Sequence, residues 1–249
     1  MASQELSPSP FHGGRRDFAT TRWSLVLAAR RRSTPGSRQA LAALCAVYWG
    51  PLYAYVRRRG FQAAEAQDLT QEFFARLLEK RSLDQIDRDK GRFRAFLLAS
   101  LKNFISNFRR GERASKRRPR GGVLSLDFAA AEERFRQEPI DRLTPEKLFE
   151  RQWACMLLEQ TLARLKSEYE KAGKAALFSR LKPYLTAGPE ATSYADAAAE
   201  LGLSEGAVKV AVHRLRSRYR QLLRREVAHT VAGPEEVEEE LRSLFRALS

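Results

Sequence analysis

The chain has 249 residues, with 45 Lys plus Arg against 30 Asp plus Glu and a formal net charge of +15 at pH 7. That length suits one or two domains, and charge of that sign and size favours a polyanionic partner. No apolar run approaches the roughly 18 residues of a membrane span and no signal-peptide core opens the chain, so a cytoplasmic protein with no membrane partner is expected.

The few special side chains also exclude chemistry. Cys45 and Cys155 lie far apart within apolar helical patterns and read as buried thiols, not as a disulfide or metal pair. His12, His213 and His229 form no ligand spacing, and no Gly-rich phosphate loop is present. No catalytic residue, metal site or cofactor is expected, and a nuclease is disfavoured.

In chain order, residues 1–19 are rich in Ser, Pro, Gly and Arg and read as a disordered N-terminus. Thr20 or Thr21 can cap a first helix to about Arg31. A longer apolar helix runs from Arg38 to about Arg59, with a break or kink expected at Pro51 and Gly60 at its end. Gln62 to Lys80 forms the next helix and contains DLTQEFFARLL. Leu69, Phe73 and Leu77 make its inner stripe, which leaves Asp68, Gln71 and Glu72 outside. After a charged loop, FRAFLLASLKNFISNFRR begins at Phe93, with Phe96, Leu97, Leu101, Phe104, Ile105 and Phe108 facing inward. This helix feeds a basic stretch, Lys102 to Arg120, that holds eight basic residues and one acid.

A first helical domain is therefore placed at residues 20–113 and a basic linker at 114–144. Thr144-Pro145-Glu146 starts the second domain, 145–231, as a cap followed by proline in the first helical turn. A long helix through Phe149, Trp153, Leu157 and Leu165 comes first. Ala175 to Leu185 gives another helix, stopped by Gly188-Pro189.

The stretch SYADAAAELGLSEGAVKVAVHRLRSRYRQLL then reads as two helices joined by a tight turn. Ala197, Ala198 and Ala199 permit close helix crossing, Gly202 supplies a positive φ, and Ser204 caps the second helix. Val208, Ala211, Val212, Leu215, Tyr219, Leu222 and Leu223 form one face; Lys209, Val210, His213, Arg214, Arg216 and Arg220 form the other. The spacing of Ala198, Gly202 and Val208 is that of a helix-turn-helix, whose second helix enters the DNA major groove. Residues 232–249 add an amphipathic C-terminal extension, in which Val237, Leu241, Leu244, Phe245 and Leu248 make one stripe. From Glu226 to Ser249 six Glu stand against two Arg. No strand pattern occurs, so the fold class is all-α: two helical domains joined by a basic linker, the second ending in a helix-turn-helix, plus a short acidic C-terminal helix.

Thr21 to Val231 resembles a bacterial extracytoplasmic-function sigma factor, the two-domain type of the sigma-70 family. QDLTQEFFARLL looks like the family's region 2.2, GRFRAFLLASLKNFISNFRR like regions 2.3 and 2.4, and YADAAAELGLSEGAVKVAVHRLR like region 4.2. The resemblance implies an RNA polymerase sigma factor that binds promoter DNA, opens it and starts transcription. It implies contacts to the polymerase core through the β′ clamp helices and the β flap, bacterial cytoplasm, nucleoid association within holoenzyme, and an anti-sigma factor or other regulator as an open question. Asp68, Gln71 and Glu72 fall at clamp-binding positions. Arg92, Phe93, Asn103, Arg109 and Arg110 fall where −10 element DNA is opened and read, with Phe93 offered as a stacking surface for an unpaired base. Ser204, Lys209, Val210, His213, Arg214 and Arg216 fall where the −35 element is read, with Val210 placed to meet a thymine methyl. Gln67 stands where the family is often acidic, and phosphorylation of Thr70 could supply that missing charge. The acidic C-terminal helix has no counterpart in the family's common form. A conventional helix-turn-helix repressor or activator is the alternative; such proteins generally bind paired half-sites as dimers.

Overall fold

The computed structural model describes residues 35–79, 92–110, 128–138, 143–186, 193–231 and 233–249. The expected N-terminal disorder, the helix from Thr20 or Thr21, and the basic run from Arg113 to Arg120 lie outside the described residues. Those described are helical and include no strand.

In order, α1 is Pro35–Arg58, α2 Ala63–Glu79, α3 Phe93–Arg109, α4 Phe128–Gln137 and α5 Pro145–Lys171. They are followed by α6 at Ala175–Leu181, α7 at Pro183–Thr186, α8 at Tyr194–Leu201, α9 at Glu205–Ala228 and α10 at Val237–Leu248. A 3₁₀ turn, Pro234–Glu236, leads into α10.

Two prolines act in opposite ways, and at Pro51 the helix is not broken. α1 runs continuously through Pro51. Proline removes the N–H that would bond the Val47 carbonyl, yet Tyr48, Leu52, Tyr53 and Tyr55 around it are all buried, and their packing holds the helix across the gap. By contrast the helix expected over Ala175–Leu185 is split, with α6 ending at Leu181 and α7 starting at Pro183. There the pieces are too short for packing to override proline's preference for a first-turn position. The start of α5 follows its sequence: Thr144 accepts a 3.2 Å hydrogen bond from the Lys147 N–H, and Pro145 occupies the first turn.

Apolar side chains gather into two cores. The first joins Tyr48, Leu52, Phe73, Leu97, Leu101 and Ile105 of α1 to α3 with Phe149, Trp153 and Leu157 of α5. It also takes in Leu223 and Val227 of α9 and Val237 and Leu244 at the start and middle of α10. The second joins Leu165 of α5, Phe178, Leu181 and Tyr184 with Ala197, Ala198, Val208, Val212 and Leu215. Two helices, α5 and α9, therefore contribute to both cores. At 27 residues α5 is roughly 40 Å long.

The described residues of the segment read as linker include a helix, α4. In α4, Phe128 packs edge-on against Trp49 of α1 with ring centroids 4.7 Å apart. Glu132 accepts bonds from Tyr53 Oη at 2.6 Å and from Arg57 Nε at 2.9 Å. Burial works against ionisation of Glu132, but the bonds from Arg57 and Tyr53 outweigh it and hold its pKa below the usual carboxylate value.

Candidate nucleic-acid interface

The two helices expected to form a helix-turn-helix are built as their sequence requires. Ser193 caps α8 by accepting from the Asp196 N–H at 3.3 Å. Gly202 then takes φ 63° and ψ 33°, the left-handed conformation that glycine adopts without strain. The Leu203 N–H bonds the Ala198 carbonyl at 2.9 Å, closing the helix end. Ser204 accepts from the Ala207 N–H at 3.2 Å and so starts α9. This bond places the Ser204 hydroxyl in the cap, where it fixes the direction of the second helix. Ala197 and Ala198 are buried against the inner face of α9.

Lys209, His213, Arg214 and Arg216 are exposed on the outer face of α9. Val210 is 50% exposed, one of three large apolar side chains that face solvent among the described residues. Lys209 pairs loosely with Glu205 at 3.7 Å and lies 5.6 Å from the Tyr194 ring centroid. Arg216 reaches sideways to donate to the Tyr184 carbonyl at 3.0 Å. Arg218 is committed further, in a two-bond pair with Glu168 at 2.8 Å. That bond holds the Glu168 carboxyl below its ordinary pKa and raises the Arg218 guanidinium above its own. Beside this face lies an open cleft of about 490 Å³, with Val210 and Arg214 on one wall and Lys174 and Leu177 on the other.

In the first core the candidate residues divide. Asn103 is exposed on α3, as are Arg109 and Arg110 at its end. Arg109 stacks 4.9 Å from the Phe61 ring centroid and donates to the Arg59 carbonyl at 2.9 Å. Phe93 corrects the expectation of a stacking surface. It is 3% exposed, meets Tyr48 edge-on at 5.4 Å and stacks on Phe96 at 6.2 Å. Its place in the first turn of α3, on the same side as Leu97, turns the ring into the core and away from any unpaired base.

Arg92 precedes Phe93 and is held by the C-terminal helix. Its Nε lies 2.9 Å from Glu240 Oε2, and its Nη2 lies 3.7 Å from Glu239. Arg94, 3% exposed, also pairs with Glu240, bonds Glu150 at 2.7 Å and stacks 4.1 Å from the Trp153 ring centroid. Burial pulls the Arg94 pKa down, and the Glu150 carboxylate opposes it.

Asp68 is exposed on α2, with Gln71 and Glu72 half-buried beside it. Glu72 bonds Arg76 one turn on at 2.7 Å. Thr70 is fully buried and donates to the Ala66 carbonyl at 2.7 Å, so its hydroxyl is no phosphorylation target in the folded chain. Its position next to Leu69 and three before Phe73 places it on the inner stripe.

Residues 47–115, which include α2, α3 and most of the first core, match the family model for sigma-70 region 2. Over this stretch the chain is similar to a sigma-70 region 2. The match covers under a third of the chain and supports a relationship to sigma-70 factors, which are transcription initiation factors, over these residues. No curated protein and no solved structure matches the chain significantly. Among the described residues no helix is long and apolar enough to cross a membrane.

Sequence reasoning missed Arg94 and Glu240. Both were legible in part. Arg94 stands three before Leu97 on the stripe continued by Leu101 and Ile105, and Glu240 stands between Val237 and Leu244 on the stripe of α10. A charge on an apolar stripe signals a buried partner; which partner it meets is a tertiary fact.

Proposed function

We propose that this chain is a promoter-specificity factor of the extracytoplasmic-function type, with a −10 reading surface on α3 and a −35 reading helix in α9. The observation that carries this reading is the union, in one chain, of a sigma-70 region 2 with a capped helix-turn-helix whose exposed face is basic. Asn103, Arg109 and Arg110 then face promoter DNA near the −10 element, and Arg92 joins them once freed from Glu240. On α9, Lys209 and Arg214 are suited to guanine edges, Val210 to a thymine methyl and His213 to a neighbouring base, while Ser204 and Arg216 position the helix. Functional domains at 20–113 and 145–231, with 114–144 between them, follow from this assignment. The work is done in the bacterial cytoplasm, on the nucleoid, when the chain is in holoenzyme.

Asp68 with Gln71 and Glu72 forms the polymerase-docking ridge. Asp68 and Glu72 are one turn apart and share a face, and an acidic exposed ridge on a chain of +15 suits a basic protein surface better than DNA. The β′ clamp helices take this ridge and the β flap takes the second domain. The test is Asp68→Lys with Glu72→Lys. The partly exposed ion pair between Glu72 and Arg76 contributes only about 1 kcal/mol or less, so folding and isolated DNA binding should persist, while association with core polymerase should fall sharply. Undiminished core binding by the folded double variant would remove α2 from the interface and favour a conventional repressor or activator.

A further inference from the structure

The acidic C-terminal helix is unexplained by promoter reading alone, and its contacts show where it acts. Glu240 is fully buried, bonds Arg92 at 2.9 Å and pairs with Arg94; Glu239 stands 3.7 Å from Arg92, and Ser243 Oγ 3.5 Å from Arg92 Nη1. All of these groups meet at the N-terminal end of α3, the helix that holds Asn103, Arg109 and Arg110. From the far side α10 is tied to α5 and α9: Arg151 donates to the Leu248 carbonyl at 3.0 Å, and Arg224 pairs with Glu238. One short helix thus bridges the region 2 helices to the two helices that lead into the second core.

Two physical points argue that this is more than a structural brace. A carboxylate bound to a guanidinium uses the same geometry as a DNA phosphate bound to one, so Glu239 and Glu240 compete with a phosphate for Arg92. Glu240 balances the buried Arg94 guanidinium, but packing alone does not require this charged pair. A buried ion pair generally stabilises a fold no better than apolar side chains of the same shape, and the neighbouring stripe positions are Val237, Leu241 and Leu244.

The span of the molecule adds a third. The −10 and −35 elements, on the reading above, are about 25 base pairs apart, roughly 85 Å of duplex at 3.4 Å per base pair. In this structure both cores share α5, which is roughly 40 Å long.

We propose that α10 is an autoinhibitory latch: its Glu239 and Glu240 carboxylates occupy Arg92 in place of a DNA phosphate and keep the α3 surface closed until α10 is displaced. The inference rests on the assignment of Arg92 to DNA, and the experiment separates the two claims. Full-length wild type, Glu240→Gln, Glu239→Gln, Arg92→Ala and the Arg92→Ala/Glu240→Gln pair are titrated against a fluorescent mixed-sequence single-stranded 20-mer at low salt. Thermal melting by circular dichroism checks each fold. Glu240→Gln keeps the side-chain volume and should bind roughly tenfold more tightly, the equivalent of one charge-assisted contact regained. Glu239→Gln, at an exposed position where folding is not at stake, should show a smaller gain in the same direction. Both gains should vanish when Arg92 is alanine. If Arg92→Ala weakens binding while neither glutamine variant strengthens it, the latch is wrong and the DNA assignment stands. If Arg92→Ala changes nothing in either background, Arg92 is not a DNA contact and both claims fall.

Discussion

On the proposed reading, Val210 is the side chain that would separate base reading from simple attraction to phosphate. Exposing it to water by half is unfavourable at about 25 cal/mol per Å² of apolar surface, and the cores gain nothing from its position. A thymine methyl in the major groove would cover it. Its neighbours Lys209 and Arg214 have no strong partner: the one pairs loosely with Glu205 and the other borders the open cleft. Both are therefore available to guanine edges, whereas Arg218 is spent on Glu168. Lys209→Ala and Arg214→Ala should each weaken −35 recognition by about 1–3 kcal/mol and change the preferred base at one defined position. Binding measured across a set of singly altered promoters checks this. Equal loss on every sequence would make them phosphate contacts. At this scale the sequence was informative where exposure follows from helical period, as at Asn103, Lys209 and His213. It misled at a helix start: Phe93 lies one turn before Leu97 on the inner stripe, yet as the first residue of that stripe it could be read as a stacking surface, and Tyr48 from another helix closes over it.

Among the elements, α4 is the one whose position the sequence least foretold. Phe128 and Ala131 give it a short apolar edge against α1, and a carboxylate completes the docking: Glu132 receives Tyr53, Arg57 and, from its own helix, Arg136 at 3.2 Å. Long-range polar docking of this kind leaves no periodic trace, while α5, α8 and α9 could be read from their caps and stripes. The Glu132 pKa is lowered in the folded chain, so its contribution to stability is present above the unfolded carboxylate value and is lost as pH falls through the lower folded value. Glu132→Gln should cost about 1–2 kcal/mol at neutral pH and should flatten the acid side of the stability profile. Urea unfolding of both proteins between neutral pH and about pH 3 checks the slope. A variant that loses stability in parallel with wild type as pH falls would show that Glu132 ionisation does not hold α4 in place.

For the whole molecule, the arrangement of α5 and α9 determines whether the two reading surfaces behave as one body or two. Phe149, Trp153 and Leu157 anchor the first half of α5 in the first core, and Leu165 anchors its second half in the other. On α9 the order is reversed: Val208, Val212, Leu215 and Leu222 serve the second core, and Leu223 and Val227 the first. A helix propagates order along its backbone one hydrogen bond per residue, so melting one core frays the helices on which the other is built. Thermal unfolding should accordingly show one cooperative transition. Phe149→Ala, in the first core, and Leu181→Ala, in the second, should each lower that same transition, by about 3–5 and 2–5 kcal/mol respectively. Differential scanning calorimetry of the three proteins decides the matter: two transitions, each moved by only one of the substitutions, would mean that α5 and α9 are flexible between the cores. Coupled cores have a functional consequence as well. On the proposed reading, a partner that separates the α3 surface from the α9 surface would have to break contacts of α5 and α10 together, and core polymerase, binding both halves at once, would be suited to do so.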